Sequence, residues 1–254
     1  MIKIIKGDFP PHLKKEGERL TNLLKAQYDK FPDDYSTGAK TFDFTTAYKT
    51  DEVKTALIEC QYNKCCFSEA KFNGDYLHVE HFRPKGRIDA LITNNQSFPG
   101  YYWLTYEWTN LFICKEMINV SFKKNYFPLV NELLRNKNHH QKNIETPELI
   151  DPGQDDPREH IRFNQDELMP MTTRGQVTIN LLKLRHSHFE ESRRKYFRIL
   201  SAMKEVIDIE SANGIEVANP LLLEFIDILK ASVLPSAEFS SMAKDLLLGW
   251  PHLE

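Results

Sequence analysis

The string His78-Val79-Glu80-His81-Phe82-Arg83-Pro84-Lys85 constrains this chain more than any other stretch. It reads as a short strand stopped by Pro84. A strand that only packs would prefer apolar alternation, because burying an unpaired Glu or His costs several kcal/mol. The density of ligand-type and basic groups therefore leaves two readings open. One is a metal-centred hydrolytic site in which Glu80 holds a divalent ion and His81 deprotonates a water; the other is a hydrogen-bonded surface strand with incidental histidines.

The flanks are helical in pattern. Pro10-Pro11 precedes a predicted helix over His12 to Phe31, with Leu13, Leu20, Leu23, Leu24 and Tyr28 near helical spacing. A second helix is expected from Thr50, with Val53, Leu57 and Cys60 on one face, and neither segment holds obvious chemistry. From Cys65 to Leu129 the texture changes to short apolar runs, aromatics and turns such as Asn73-Gly74-Asp75. Glu148 to Pro157 reads as an acidic, turn-rich connector, followed by strand-like residues around His160 to Phe163. A long amphipathic helix is expected from Thr178 through Ile207, then helices over Asn219 to Lys230 and Phe239 to Leu248. The division that follows is 1–59, an N-terminal helical region; 60–140, a small β-plus-helix module; and 141–254, the connector and a C-terminal helical domain.

Charge limits the partners. With 33 Lys and Arg against 36 Asp and Glu, the net charge of -3 excludes a broadly basic nucleic-acid binder. Any such contact must come from local islands: residues 60–140 carry ten basic against seven acidic groups, and 181–198 carry six against two. Residues 199–254 are acidic, three against nine. No window approaches the ~18 apolar residues of a membrane helix, and the first residues lack the apolar stretch of a signal peptide, so the expected location is cytoplasmic with no membrane partner. Cys60, Cys65, Cys66 and Cys114 then read as thiols or metal ligands rather than a disulfide scaffold. The phosphate-cradling Gly-x-x-x-x-Gly-Lys-Ser/Thr loop is absent, so ATP hydrolysis by that route is not expected.

Past the octapeptide come Trp108-Thr109-Asn110-Leu111-Phe112, then Asn119, then Tyr126-Phe127-Pro128-Leu129. Together these strings resemble the HNH endonuclease subunits of Septu and retron anti-phage systems, the PtuB-like group. The resemblance continues through Leu149-Ile150-Asp151-Pro152, Asp156-Pro157, His160 and Phe163 to the helix from Ile179 to Arg193, and so covers roughly residues 60 to 198. It implies an α+β, mostly helical fold in which a ββα-metal (HNH) module occupies 60–140. It also implies His81 as general base, Glu80 and Asn119 as ligands of Mg²⁺ or Mn²⁺, and Asn110 pinning the loop that carries His81. The chemistry agrees. Phosphodiester hydrolysis needs an activated water and a cation at the scissile phosphate, and Mg²⁺ accepts a sparse set of oxygen ligands. Arg83, Lys85 and Arg87, directly after the catalytic string, are candidates for flanking phosphates, or ordinary surface charges beside Asp89.

The chain departs from that group at its cysteines. Where many HNH proteins carry two Cys-x-x-Cys knuckles around zinc, Ser68 stands at the second position of the first pair. The second pair falls on Lys115 and Ile118, with Cys114 one residue out of register. Four well-spaced ligands are lacking, so no structural zinc is expected. Phe67, Tyr102, Trp103, Trp108 and Phe112 are expected to supply packing in its place. A rearranged site of Cys60, Cys65, Cys66 and Cys114 stays open.

The resemblance further implies an ABC-type ATPase partner (PtuA-like) and, in retron-linked versions, a reverse transcriptase/msDNA complex. The expected substrate is DNA first and structured RNA such as tRNA second. The competing reading is a catalytically silent, HNH-derived subunit that binds nucleic acid or assembles a complex. His139-His140 sits in a polar loop-like run and is expected to be solvent-exposed rather than catalytic. Arg185, Arg193, Arg194, Lys195 and Arg198 form a basic cluster suited to phosphate, to an acidic partner or simply to solvent.

Overall fold

A computed structural model describes residues 1–74, 76–91, 95–213 and 219–253. Asp75 of the expected turn lies outside the described residues. Pro11 occupies the first position of α1 (Pro11–Lys30), whose buried stripe is Leu13, Leu20, Leu24 and Tyr28. A short α2 (Pro32–Thr37) follows. In α3 (Asp51–Cys60) the Thr50 side chain accepts from the Val53 amide, Asp51 and Glu52 complement the helix dipole, and Val53 and Leu57 are buried.

Among the described residues, three two-stranded antiparallel sheets come next in the chain. β1 (Leu77–His81) pairs with β4 (Leu111–Lys115), setting Val79 opposite Ile113, Glu80 opposite Phe112 and His81 opposite Leu111. Between them lies the small pair β2 (Ile88–Asp89) and β3 (Gln96–Ser97). After β4 a π-helical segment spans Met117–Lys123. β5 (Ile161–Asn164) and β6 (Glu167–Pro170) form a hairpin, and α4 (Thr173–Leu181), α5 (Ser187–Ala212), α6 (Pro220–Ser232) and α7 (Ser240–Leu246) complete the chain. The fold is thus mixed α/β, with helices outweighing three small sheets. No helix among the described residues is long and apolar enough to cross a membrane.

One apolar cluster runs from Met1 to Phe189 and contains the buried Phe67, Tyr102, Trp108 and Phe112, with Trp103 packed partly buried against it. A second joins Leu200, Ile207, Leu222, Ile226, Leu229 and Ala243 across α5, α6 and α7, with Leu247 just past α7. The helix expected from Thr178 without interruption is two helices. The chain turns between Leu182 and His186, with Lys183 in the left-handed region at φ 50°. The amphipathic period survives this break because Leu182 and Leu184 stay buried, so apolar spacing alone did not reveal it.

The turn after α3 locks the C-terminal helices to the module. Glu69 is buried and meets Lys64 at 3.4 Å and the Met1 ammonium at 2.6 Å, while the Ser240 hydroxyl donates to it at 3.0 Å. Lys64 also donates to the Ala237 carbonyl at 2.8 Å. On the far side of α7, Asp245 pairs with Arg158 at 2.6 Å and Arg162 at 2.8 Å and accepts from the Phe163 amide. Burial opposes the charge on Glu69, but the Met1 ammonium and Lys64 outweigh it and hold the carboxyl down to about 2. A carboxyl depressed in the folded state contributes stability above its ordinary value, and that contribution is lost as pH falls toward 2. Glu69→Gln is therefore expected to cost about 3–5 kcal/mol in urea unfolding at pH 7, since it leaves Lys64 buried without its counter-charge, and progressively less below pH 4.5.

Candidate active site

Two side-chain amides build the platform. Gln61, at the end of α3, donates to the carbonyls of Lys64 and Ile113 and accepts from the Ile113 amide at 2.8 Å, closing the edge of β4 that β1 leaves open. Asn110 accepts from the Arg83 amide at 2.8 Å and donates to the carbonyls of Arg83 and Leu104, both at 3.1 Å. The segment after β1 is thereby tied to the one before β4. Gly100, at φ +71°, sits where a Cβ would meet the Arg87 amide nitrogen at 2.7 Å, and the Tyr101 amide donates to the Pro84 carbonyl.

Glu80, His81 and Asn119 all border one cavity of ≈ 400 Å³, together with His78, Tyr48, Lys49, Lys54, Lys85 and Lys124. Glu80 and His81 are buried and Asn119 is half-buried. His81 Nε2 lies 2.9 Å from the Thr105 carbonyl oxygen. A carbonyl only accepts, so Nε2 carries the proton and Nδ1 keeps its lone pair. The ring meets the Tyr48 ring edge-on at 4.6 Å. Burial, and then the neighbouring Lys85 ammonium, push His81 down to about 3, so it is neutral at pH 7. Burial pushes Glu80 up, against the pull of Lys123.

Lys123 decides the electrostatics beneath the cavity. It is fully buried, its Nζ lies 2.5 Å from Glu80 Oε1, and it donates to the His81 carbonyl at 3.1 Å. The Lys123 ammonium thus lies directly against Glu80 Oε1 and favours its charge. A buried carboxylate oxygen and a nearby amide side chain are suitable donors for a hard cation such as Mg²⁺. The fit is chemical, and Lys123 is the competing cation. The rim is cationic, with Lys49, Lys54, Lys85 and Lys124 on it. Lys85 is lowered to about 8 by burial and then by Lys49, and it donates to the Tyr48 hydroxyl.

Of the three cations expected at phosphates, Lys85 borders this cavity. Arg83 turns to Glu145 at 3.4 Å and Arg87 to Asp89 at 3.0 Å. Sequence reasoning missed Tyr48, Lys49 and Lys54, having found no chemistry in the segments before Cys60. It also missed Lys123 and Lys124, whose signal was a basic pair four and five residues after Asn119, within reach of one helical turn.

Cys65, Cys66 and Cys114 are buried together, with Cys65 Sγ 3.8 Å from Cys114 Sγ, and burial pushes the Cys66 and Cys114 thiols up. Cys60 is half-buried and donates to the Leu57 carbonyl. In the basic cluster of residues 185–198, Arg193 is buried and donates to the Leu184 carbonyl, Arg185 to the Leu168 carbonyl, and Arg194 to Asp166. Those three guanidinium groups brace the β5–β6 hairpin and the turn before α5.

No protein-family model matches the chain. It is 34% identical over 167 residues to Septu protein PtuB of Bacillus mycoides (strain KBAB4), an alignment covering 64% of this chain and 57% of that protein. Over that stretch the chain is similar to that Septu protein. A second Septu protein PtuB, from Bacillus thuringiensis, is 26% identical over 160 residues, covering 62% of this chain and 49% of that relative. The chain thus spans about half the length of the curated relatives it matches.

Two measurements check the geometry of this site. Asn110→Ala is expected to lower stability in urea unfolding by about 1–3 kcal/mol for each buried backbone group left without a partner. For His81 the folded value lies below its ordinary 6.5, so its contribution is complete above that pH and is lost as pH falls toward 3. Melting temperatures between pH 7 and pH 4 should therefore fall less steeply for His81→Gln than for the wild-type chain.

Proposed function

We propose that this PtuB-like chain is the nuclease subunit of a Septu-type anti-phage defence system, a metal-dependent HNH endonuclease cutting DNA first and structured RNA second. The observation that carries the reading is the placement of Glu80, His81 and Asn119 around a single lysine-rimmed cavity of ≈ 400 Å³. In this reading residues 60–140 are the ββα-metal module, and Arg83 and Arg87 serve to brace its loops.

The residues divide the work. Lys49, Lys54, Lys85 and Lys124 attract a phosphodiester and hold its non-bridging oxygens. His81 accepts the proton of the attacking water at Nδ1 while Nε2 stays tied to the Thr105 carbonyl. Burial is the larger cause that depresses His81, and the entering phosphate offsets the smaller one, the neighbouring Lys85 ammonium, which favours proton uptake by the ring. Glu80 and Asn119 would hold Mg²⁺ or Mn²⁺, which when bound offsets charge on the scissile phosphate and leaving oxygen. Lys123 neutralises Glu80 in the absence of that ion. An ABC-type ATPase is the proposed partner, with a reverse transcriptase/msDNA complex in retron-linked versions, and its docking surfaces lie among the acidic C-terminal helices or the N-terminal helices.

A silent, nuclease-derived assembly subunit is the second reading. It is favoured by one contact, the Lys123 ammonium at Glu80 Oε1. Plasmid DNA and total RNA incubated with the chain and its ATPase in Mg²⁺ or Mn²⁺ separate the two. Cleavage that falls ~10²–10⁴-fold in His81→Ala, with the melting temperature retained, supports the enzyme. Binding without cleavage under every metal, with the ATPase present, supports the silent subunit.

A further inference from the structure

The loop over residues 136–145 meets α1 away from the lysine-rimmed cavity. There Asp29, near the end of α1, faces His139 and His140, and the three ligand atoms all lie within 4.8 Å of one another. Asp29 Oδ1 is 2.7 Å from His140 Nε2 and 3.6 Å from His139 Nε2. Metal–ligand bonds of 2.0–2.1 Å in a tetrahedral site put ligand atoms about 3.3 Å apart, so small side-chain adjustments bring these to coordination distance. None of the three residues borders the His81 cavity.

The histidine between them is prepared for that role. His139 is only 10% exposed, and its Nδ1 is hydrogen-bonded to the Tyr102 hydroxyl, leaving Nε2 aimed toward Asp29. A ligating histidine is oriented in this way, with one ring nitrogen held by a fixed partner and the other free for the metal. The rings of Tyr28 and Tyr102 stand edge-on to it at 5.9 Å and 5.8 Å. Asn138 receives the backbone amide of His140 at 3.0 Å and donates to the Tyr28 hydroxyl, so the turn carrying both histidines is anchored to α1 independently of them.

We propose that Asp29, His139 and His140 bind one divalent transition metal of the zinc class, in a three-ligand site whose remaining positions are open to water. Two imidazoles and a carboxylate suit Zn²⁺, and adjacent histidines facing a helix more than a hundred residues away make the metal a clamp between α1 and the loop. Through the same loop Glu145 accepts from Tyr101 and pairs with Arg83, so the clamp bears on the segment that follows His81.

The test is calorimetric titration of Zn²⁺ into the full chain after chelator treatment. The wild-type chain is compared with His140→Ala, Tyr102→Phe, Glu80→Gln and Cys114→Ser. His140 is exposed, so its replacement leaves the fold intact; equal melting temperatures without metal confirm this. The expected result is one binding event weakened at least tenfold in His140→Ala and about 10–100-fold in Tyr102→Phe, yet retained in Glu80→Gln and Cys114→Ser. Absence of any event sensitive to His140 overturns the proposal and leaves a hydrogen-bonded cluster on Asp29. Loss of the event in Glu80→Gln or Cys114→Ser instead assigns the metal to the cavity or to the thiols and overturns it equally.

Discussion

A two-stranded sheet is marginal in water, and this molecule hangs its chemistry on one. What makes β1 and β4 rigid is a pair of amide side chains. Gln61 bonds Ile113 as an additional strand would, using both its oxygen and its nitrogen. Asn110 fastens the Arg83 backbone, just past the strand's end, with two bonds and the Leu104 carbonyl with a third. With Phe82, Phe112 and Phe127 fully buried behind them, Glu80 and His81 have a fixed frame. Either amide lost would leave backbone donors or acceptors buried without partners, a cost paid where the functional side chains sit.

That frame imposes an electrostatic asymmetry. Five lysines surround or underlie a cavity lined by one carboxylate, Glu80, and the imidazoles of His78 and His81. The field favours an anion, and the two residues suited to act on one are held by backbone carbonyls and a buried ammonium rather than by solvent. Lys123 is the pivot. Removing an ion-paired partner from a buried carboxylate is expensive, so the charge on Glu80 depends on Lys123. A cationic rim also makes binding of a phosphodiester sensitive to salt, since counter-ions are released when it enters.

Much of this was legible from residues alone. The helices of α1 and α3 follow from Pro11, the Thr50 cap and their apolar stripes, and the polar density of His78 to Lys85 pointed to the residues that border the cavity. The rest depended on long-range contacts that leave no local pattern. Tyr48, Lys49 and Lys54 look like an ordinary helix start until α3 is packed beside β4. Arg83 looks like a phosphate ligand until Glu145 is seen beside it. His139 reads as solvated until Tyr102 and Asp29 are seen around it, while His140 is exposed as expected. The basic run from Arg185 to Arg198 suggested a binding face, but Arg193 is buried, with its Nε and Nη1 donating to the Asp166 and Leu184 carbonyls. Periodicity reports which residues share a face, and it is silent on which faces meet.

The central claim is that Glu80 and Asn119 hold a hard cation beside His81 at the floor of a phosphate-binding cavity. An anomalous difference map from crystals grown with Mn²⁺ and a short, uncleavable oligonucleotide tests it most directly. The account predicts a single Mn²⁺ peak within ~2.0–2.3 Å of a Glu80 carboxylate oxygen and the Asn119 amide oxygen, with a phosphate oxygen completing the shell. A cavity holding the phosphate on its lysines while Lys123 remains against Glu80, with no Mn²⁺ peak there, would contradict it.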